Sequence, residues 1–384
     1  MTNTLKTFAG GRLSRRIQLQ IGLVIALAII AVTLLSYQLS MVSLRAESLD
    51  ALKRNLEVRA QLESETFLQA QQNTVQLRQE FQHRLAQLGD SDPQDEFDRW
   101  FSRSPDGLIR VRPELDNHQR LPSIYIRKQV GLNAKIRREV LTAFQLLSEW
   151  GPPMTSRYYS TYIDLPAIAL IMFSPSVNWG REANAESNNF DYPPVRDSAP
   201  ERNPERSNIW TEVYFDDKAG VWMLSTVTPM DLDGHRIGTL SQDISVEQLL
   251  RHTQDELLPG TYNMLVDGKG KLLAHPRLMQ QIRSSAGSLE LNAESDPQLH
   301  EFANAALQSP DRASILTSAD GQHYLGVARI AGPGWYFISV MPKSLLEEKA
   351  FGSAQRILLA GLIGLIIQLM LLAYILRRQV ARPL

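Results

Sequence analysis

The 384 residues contain no cysteine. That excludes a disulfide framework, thiolate metal sites and a thiol nucleophile. The seven histidines, His83, His118, His235, His252, His275, His300 and His323, fall in no H-E-x-x-H or other paired-ligand spacing, so no metal is expected. G-x-S-x-G, the P-loop and the glycine-rich dinucleotide turn are missing as well, so the sequence is expected to carry no cofactor and no catalytic centre. A glycosidase-like carboxylate pair depends on a separation in space that spacing along the chain leaves open. Basic residues number 40 and acidic ones 41, with a net charge of −1, so there is no electrostatic footprint for nucleic acid.

Long apolar runs occur only at the two ends. Ile21 to Leu35, extendable to about Leu39, and Ile357 to Leu376 are the stretches suited to a lipid bilayer. A cleaved signal peptide is the rival reading of the first, but no A-x-A-like site follows it. Ala360, Gly361 and Gly364 in the second run would let another helix approach closely. Lys6, Arg12, Arg15 and Arg16 precede the first run, Arg377, Arg378 and Arg382 follow the second, and neither flank holds an acidic residue. The positive-inside rule therefore puts both ends in the cytoplasm, with 41–355 on the far side of the membrane.

Between the runs, Met41 to Leu88 contains no Gly or Pro and is rich in helix formers. A helix of that length reaches roughly 70 Å at ~1.5 Å per residue. Its apolar stripe suits packing along its own domain or a dimer-forming signalling helix, on different segments. Beyond Gly89 the pattern is mixed: a short helix at Asp95 to Phe101, a strand at Ser123 to Arg127, and a helix from Ala134 to Trp150 ended by Gly151, Pro152 and Pro153. Strands are expected at Tyr158 to Ile163 and Ile168 to Phe173, and one long loop from Pro175 to Asn208. A meander follows: Ile209 to Phe215, Val221 to Met230 and Arg236 to Ile244. After a helix at Val246 to Glu256 the rhythm repeats. Strands are expected at Tyr262 to Val266, Lys271 to His275, Ala313 to Thr317, Gln322 to Ile330 and Trp335 to Met341, with a helix near Pro297 to Gln308.

Two segments carry a family resemblance. NPERSNIWTEVYFDDKAGVWMLSTVTPMDLDGHRIGTLSQDISVEQL, from Asn203 to Leu249, resembles the membrane-distal half of a double Cache sensor, and YNMLVDGKGKLLAHP with GPGWYFISVMPKSLL resembles the membrane-proximal repeat. Arg382-Pro383-Leu384 look like the opening of a HAMP linker. The resemblance implies an α+β fold: a long N-terminal stalk helix carrying two tandem PAS-like Cache domains with antiparallel sheets, flanked by two transmembrane helices. The implied order is an N-terminus at 1–18, a span at 19–40, a stalk at 41–89, a distal domain at 90–247, a proximal domain at 248–350, a span at 356–376 and a linker from 377. It further implies a homodimeric, two-pass receptor of a bacterial inner membrane, with 41–355 in the periplasm, that takes a small organic ligand in the distal domain and signals through the second span. The outputs known for such receptors are a histidine kinase, diguanylate cyclase, protein phosphatase or chemoreceptor. The alternative is a periplasmic protein-interaction module with no small-molecule ligand.

The amino-acid-binding branch of this family clamps the ligand carboxylate with R-x-W-Y and holds the ammonium with Y-x-D and a later Asp. Tyr214 and Asp216 match the Y-x-D and Asp243 matches the later Asp, but the R-x-W-Y segment is missing. On one strand, Trp210, Tyr214 and Asp216 would share a face and grip an organic cation; the bland reading makes them core aromatics and a turn residue. Of Tyr158, Tyr159 and Tyr162, one or two are expected to face the distal cavity and the others to pack in the core. Asp243 serves the pocket or caps the next helix, for which Ser245 is better placed. Trp179, Arg202 and Arg206 would close over the ligand as a lid, or the arginines are solvated loop charge.

Overall fold

The computed structural model describes residues 3–166, 169–232, 234–247, 253, 258–310 and 312–380. In chain order its elements begin with α1 (Asn3–Leu88), α2 (Gln94–Trp100), β1 (Phe101–Arg103), β2 (Ile109–Val111), β3 (Ser123–Ile126) and α3 (Ala134–Met154). β4 (Ser160–Leu165), β5 (Ala169–Phe173), α4 (Trp179–Glu182), a single 3₁₀ turn (Asn189–Asp191) and α5 (Pro193–Asp197) follow. Next come β6 (Ile209–Trp210), β7 (Tyr214–Asp216), β8 (Val221–Leu232), β9 (His235–Ser245), β10 (Tyr262–Val266) and β11 (Leu272–Ala274). The chain closes with α6 (Met279–Ser284), α7 (Pro297–Leu307), β12 (Ser314–Thr317), β13 (His323–Ile330), β14 (Trp335–Pro342) and α8 (Lys343–Val380).

Two antiparallel sheets result. The first has nine strands in the order β1-β2-β3-β5-β4-β9-β8-β6, with β7 also pairing with β8; the second runs β11-β10-β14-β13-β12. Within the first, β5-β4-β9-β8-β7 repeats the order of the whole second sheet, so the two share one topology. The α+β class, the long N-terminal helix and the paired antiparallel sheets are thus as expected.

The chain forms two compact units, one of Met1–Arg54, Thr317–Tyr324 and Met341–Leu384, the other of Asn55–Leu316 and Leu325–Val340. Two helices, α1 and α8, are long and apolar enough to cross a membrane, and the apolar stretches of both lie in the first unit. There a Cβ on Gly361 would stand 2.8 Å from Ile29 Cγ2, so glycine is what lets the two apolar helices close on one another.

In the second unit, side chains alternate across β4. Ile163 and Leu165 join Leu77 and Phe81 of α1 and Phe144 and Leu147 of α3 in the main core, whereas Tyr162 faces the opposite side with Tyr125, Leu170, Met172 and Trp179. One face of the nine-stranded sheet is therefore covered by helices, and the other looks toward the 175–208 segment. The contact with α1 includes a polar layer: Thr228 Oγ1 donates to Thr74 Oγ1 at 2.8 Å, and Asn73 Nδ2 donates to Gln242 Oε1 at 3.2 Å. The second sheet has its own core around Met264, Phe302, Leu325 and Ile338.

Three expectations are corrected. Gly151, Pro152 and Pro153 do not end α3, which continues to Met154. Gly151 serves packing instead, because a Cβ there would stand 2.3 Å from the Phe173 ring. The 175–208 segment is not one loop but folds into α4, the 3₁₀ turn and α5, each begun locally by Asn178, Asn188 or the Pro193-Pro194 pair. Ile209 to Phe215 is not one strand. Trp210 pairs with Thr226 and Tyr214 with Met223, so four steps on one side oppose three on the other and the two aromatics take opposite faces. Ile168, most of the Val246 to Glu256 helix and the Arg382-Pro383-Leu384 exit lie outside the described residues.

Candidate ligand-binding site

A cavity of about 290 Å³ lies between the free face of the nine-stranded sheet and the 175–208 segment. Its floor comes from alternate positions of central strands, Tyr162 and Asp164 of β4, Leu170 and Met172 of β5 and Asp243 of β9; its rim comes from Trp179, residues 183–195 in part, and Tyr214, Asp216, Asp217 and Lys218. Strand alternation explains the floor, since one phase supplies the apolar core and the other must meet whatever lies opposite. The rim depends on a close approach: a Cβ on Gly180 would stand 2.5 Å from Ile124 O. Only glycine lets α4 sit so near β3 and hold Trp179, itself buried, against the cavity.

Asp243 sits at one end, 2% exposed. Its Oδ2 accepts from Ser160 Oγ at 2.5 Å, and its Oδ1 accepts from Ser225 Oγ at 2.6 Å and Tyr162 OH at 2.9 Å. Tyr214 OH lies 2.8 Å from Ser225 Oγ and 3.5 Å from Asp243 Oδ1. Burial pushes the Asp243 carboxyl up to about 6, and the donated hydrogen bonds act against that rise. Asp216 does two jobs. It lines the cavity, and its Oδ1 also accepts from Lys218 N and Ala219 N, both at 2.9 Å, closing the turn before Gly220. Asp164, at the other end, is 3% exposed and accepts from Asn189 Nδ2 at 2.7 Å. Burial raises its carboxyl to about 7.

The lining includes Asp164, Glu186, Asp191, Asp216, Asp217 and Asp243 against the single cation Lys218, and among the described residues no arginine lines it. Such a wall is electrostatically matched to a cation and mismatched to a carboxylate. Among the described residues no group of three or more acidic, His or Cys side chains is arranged to hold a metal ion.

Of the residues singled out in the sequence, Tyr162, Trp179, Tyr214, Asp216 and Asp243 come together here. The others face elsewhere. Tyr158 OH donates to Thr66 O of α1 at 3.3 Å. Trp210 packs edge-on to Phe67, ring centroids 5.3 Å apart, because the bulge turned it from Tyr214. Arg206 is clamped to Asp231 at 2.7 and 2.9 Å, and Arg202 reaches Asp197 at 3.2 Å. Neither arginine lines the cavity; both fasten the segment that forms its rim. Asp164 has a signal in the sequence, a carboxylate in phase with Tyr162 inside the strand STYIDL. Asn189 has none.

No protein-family model and no curated protein matches the chain. Solved structures to which it is similar are ligand-binding domains of bacterial chemoreceptors. The sensory domain of Tlp3 from Campylobacter jejuni is 14% identical over 80% of this chain and 99% of that one, with a TM-score of 0.45. The ligand-binding domain of CtaA from Pseudomonas fluorescens, in complex with L-serine, is 20% identical over 55% and 84%, with a TM-score of 0.38. That of PctC from Pseudomonas aeruginosa, in complex with GABA, is 20% identical over 53% and 80%, with a TM-score of 0.36. At these identities the ligand chemistry has to be argued from this chain's own residues.

Proposed function

We propose that this chain is a two-pass membrane receptor whose distal periplasmic domain binds a small organic cation, an amine, with Asp243 as the anchor for its ammonium group. One observation carries the reading: a buried carboxylate, ringed by Ser160, Tyr162 and Ser225, at the end of a cavity whose ionisable lining is overwhelmingly acidic. A buried carboxylate without a cation is costly and takes up a proton instead. An ammonium group in its place removes that cost, and the aromatic rings of Tyr162, Tyr214 and Trp179 offer further cation–π contact. A free amino acid is disfavoured, because its carboxylate would meet acidic side chains with no arginine opposite. The receptor acts as a homodimer, and ligand-linked closure of the distal domain biases the last membrane helix toward one of two positions, signalling to a cytoplasmic output.

The test is a thermal-stability screen of the full chain in detergent against n-alkylamines and against free amino acids. Alkylamines are expected to raise the melting temperature more. Asp243→Asn should remove that response while circular dichroism stays unchanged, with affinity falling about tenfold to hundredfold. Stabilisation by amino acids alone, or an undiminished amine response in the variant, contradicts the reading.

A further inference from the structure

Asp243 does not account for the whole cavity. Asp164 and Asp243 project from the same face of neighbouring strands: Ser160 pairs with Asp243 and Asp164 pairs with Thr239. Four residues along β4 therefore separate the two carboxylates, roughly 13 Å along the strand direction. Asp164 uses one oxygen to accept from Asn189 Nδ2; its Oδ2 and the Oδ1 of Asn189 are both buried and have no hydrogen-bond partner in the protein. Both residues line the cavity. The Thr239 hydroxyl faces Asp164 from β9 but makes no hydrogen bond of its own, and the two open acceptors suit a group that carries only donors, as an ammonium does. Between the two ends the wall is apolar and aromatic, formed by Leu170, Met172, Trp179 and Tyr162.

We infer that Asp164 and Asn189 form a second cation subsite, so that the cavity is built for a linear α,ω-diamine lying with one ammonium at Asp243 and the other at Asp164. This rests on the amine reading above and specifies its ligand class. The methylene chain of such a molecule lies along Leu170 and Met172, where it loses no hydrogen bonds and buries apolar surface. Each ammonium takes the place of the proton that its buried carboxyl would otherwise hold; burial raises both carboxyls. A mono-amine satisfies one end only and leaves the other acceptor pair unmatched.

The experiment is calorimetric titration of the full chain with the homologous α,ω-diaminoalkanes, diaminoethane to diaminooctane, and with the n-alkylamines of matching length. A diamine of intermediate length is expected to bind about tenfold to hundredfold more tightly than its mono-amine partner. In Asp164→Asn that advantage should vanish, with diamine affinity falling far more than mono-amine affinity; Asn189→Ala, which removes the other acceptor, should reduce the advantage too. Both variants are checked by circular dichroism, and either alone decides the point. If mono-amines bind and diamines bind no better, or if the diamine advantage survives both substitutions, the second subsite is wrong and the amine reading stands. If neither class binds the wild-type chain, both fall.

Discussion

Tyr162 donates its hydroxyl to Asp243 Oδ1 at 2.9 Å across the β4–β9 ladder. The phenol comes from the strand position two beyond Ser160, which donates to the other carboxylate oxygen. Two residues on the same face of one strand thus fix both oxygens of a carboxylate on the next. The orientation is set by strand register, among the most rigid features of a sheet. A recognition group held in this way is pre-organised, so binding spends little on ordering it.

The raised carboxyl of Asp164 makes stability depend on pH. Its folded value is about 7 against an ordinary 3.8, with burial as the main cause; Asn189 and Arg236 act against that rise and Asp243 adds to it. Between those values the folded state holds a proton that the unfolded state has lost, so this residue's contribution declines as pH rises from about 4 to 7 and is flat above. Asp164→Asn removes the dependence. The variant is expected to match the wild type at or below about pH 4 and to exceed it at pH 8, by up to about 4 kcal/mol. Other titrating groups, His275 and the surface carboxylates among them, cancel in the difference. Melting curves of both proteins across this range check it, and a difference that does not change with pH contradicts it.

Gly180 supports the site without touching the cavity. A Cβ there would press on the Ile124 backbone at 2.5 Å, and backbone cannot swing aside as a long side chain can. Gly180→Ala is expected to displace α4 and Trp179, costing about 1–3 kcal/mol of stability. Amine affinity should fall with it. Denaturant unfolding and calorimetry on the same variant measure the two effects, and unchanged values for both would show that α4 accommodates a methyl group.

Much of this architecture was legible in the sequence. The unbroken helix-forming run before Gly89, the turn residues at 216–220 and the repeated spacing of apolar strands led to α1, the β7–β8 hairpin and the second sheet. Asp216 and Asp243 stand out in the sequence through their match to the Y-x-D and later Asp of the resembled family. Trp210 was misplaced because a bulge has no reliable sequence mark: one extra residue at 211–213 reverses the face of everything before it. Arg202 and Arg206 look like potential ligand contacts in the sequence because their partners Asp197 and Asp231 are set by the fold. The short helices of 175–208 escaped because Pro- and Asn-rich composition resembles that of a loop.

Exposure along the stalk divides two roles that the apolar stripe left together. Leu52 and Leu56 are 0% exposed, whereas Val58 and Leu62 are 58% and 57% exposed. Single cysteines at Val58 and Leu62 are expected to form disulfides between chains in membranes, and cysteines at Leu52 and Leu56 are not. The protein has no thiols of its own to confuse the result. Equal cross-linking at all four positions, or none at any, contradicts a homodimer joined along this face.

Basic residues flank both apolar helices on their outer sides. Alkaline phosphatase fused after Gly89 is therefore expected to be active, and fused after Leu384 to be inactive, with a cytoplasmic reporter giving the reverse pattern. Phosphatase activity at both positions would mean that the chain does not cross the membrane twice.

The central claim is that Asp243 receives a ligand's ammonium group. A crystal structure of the protein with 1,4-diaminobutane tests it most directly. The expected result is a nitrogen within hydrogen-bonding distance of an Asp243 carboxylate oxygen, with the methylene chain against Leu170 and Met172. A diamine bound elsewhere, or density only for a carboxylate-bearing molecule in the cavity, would contradict the account.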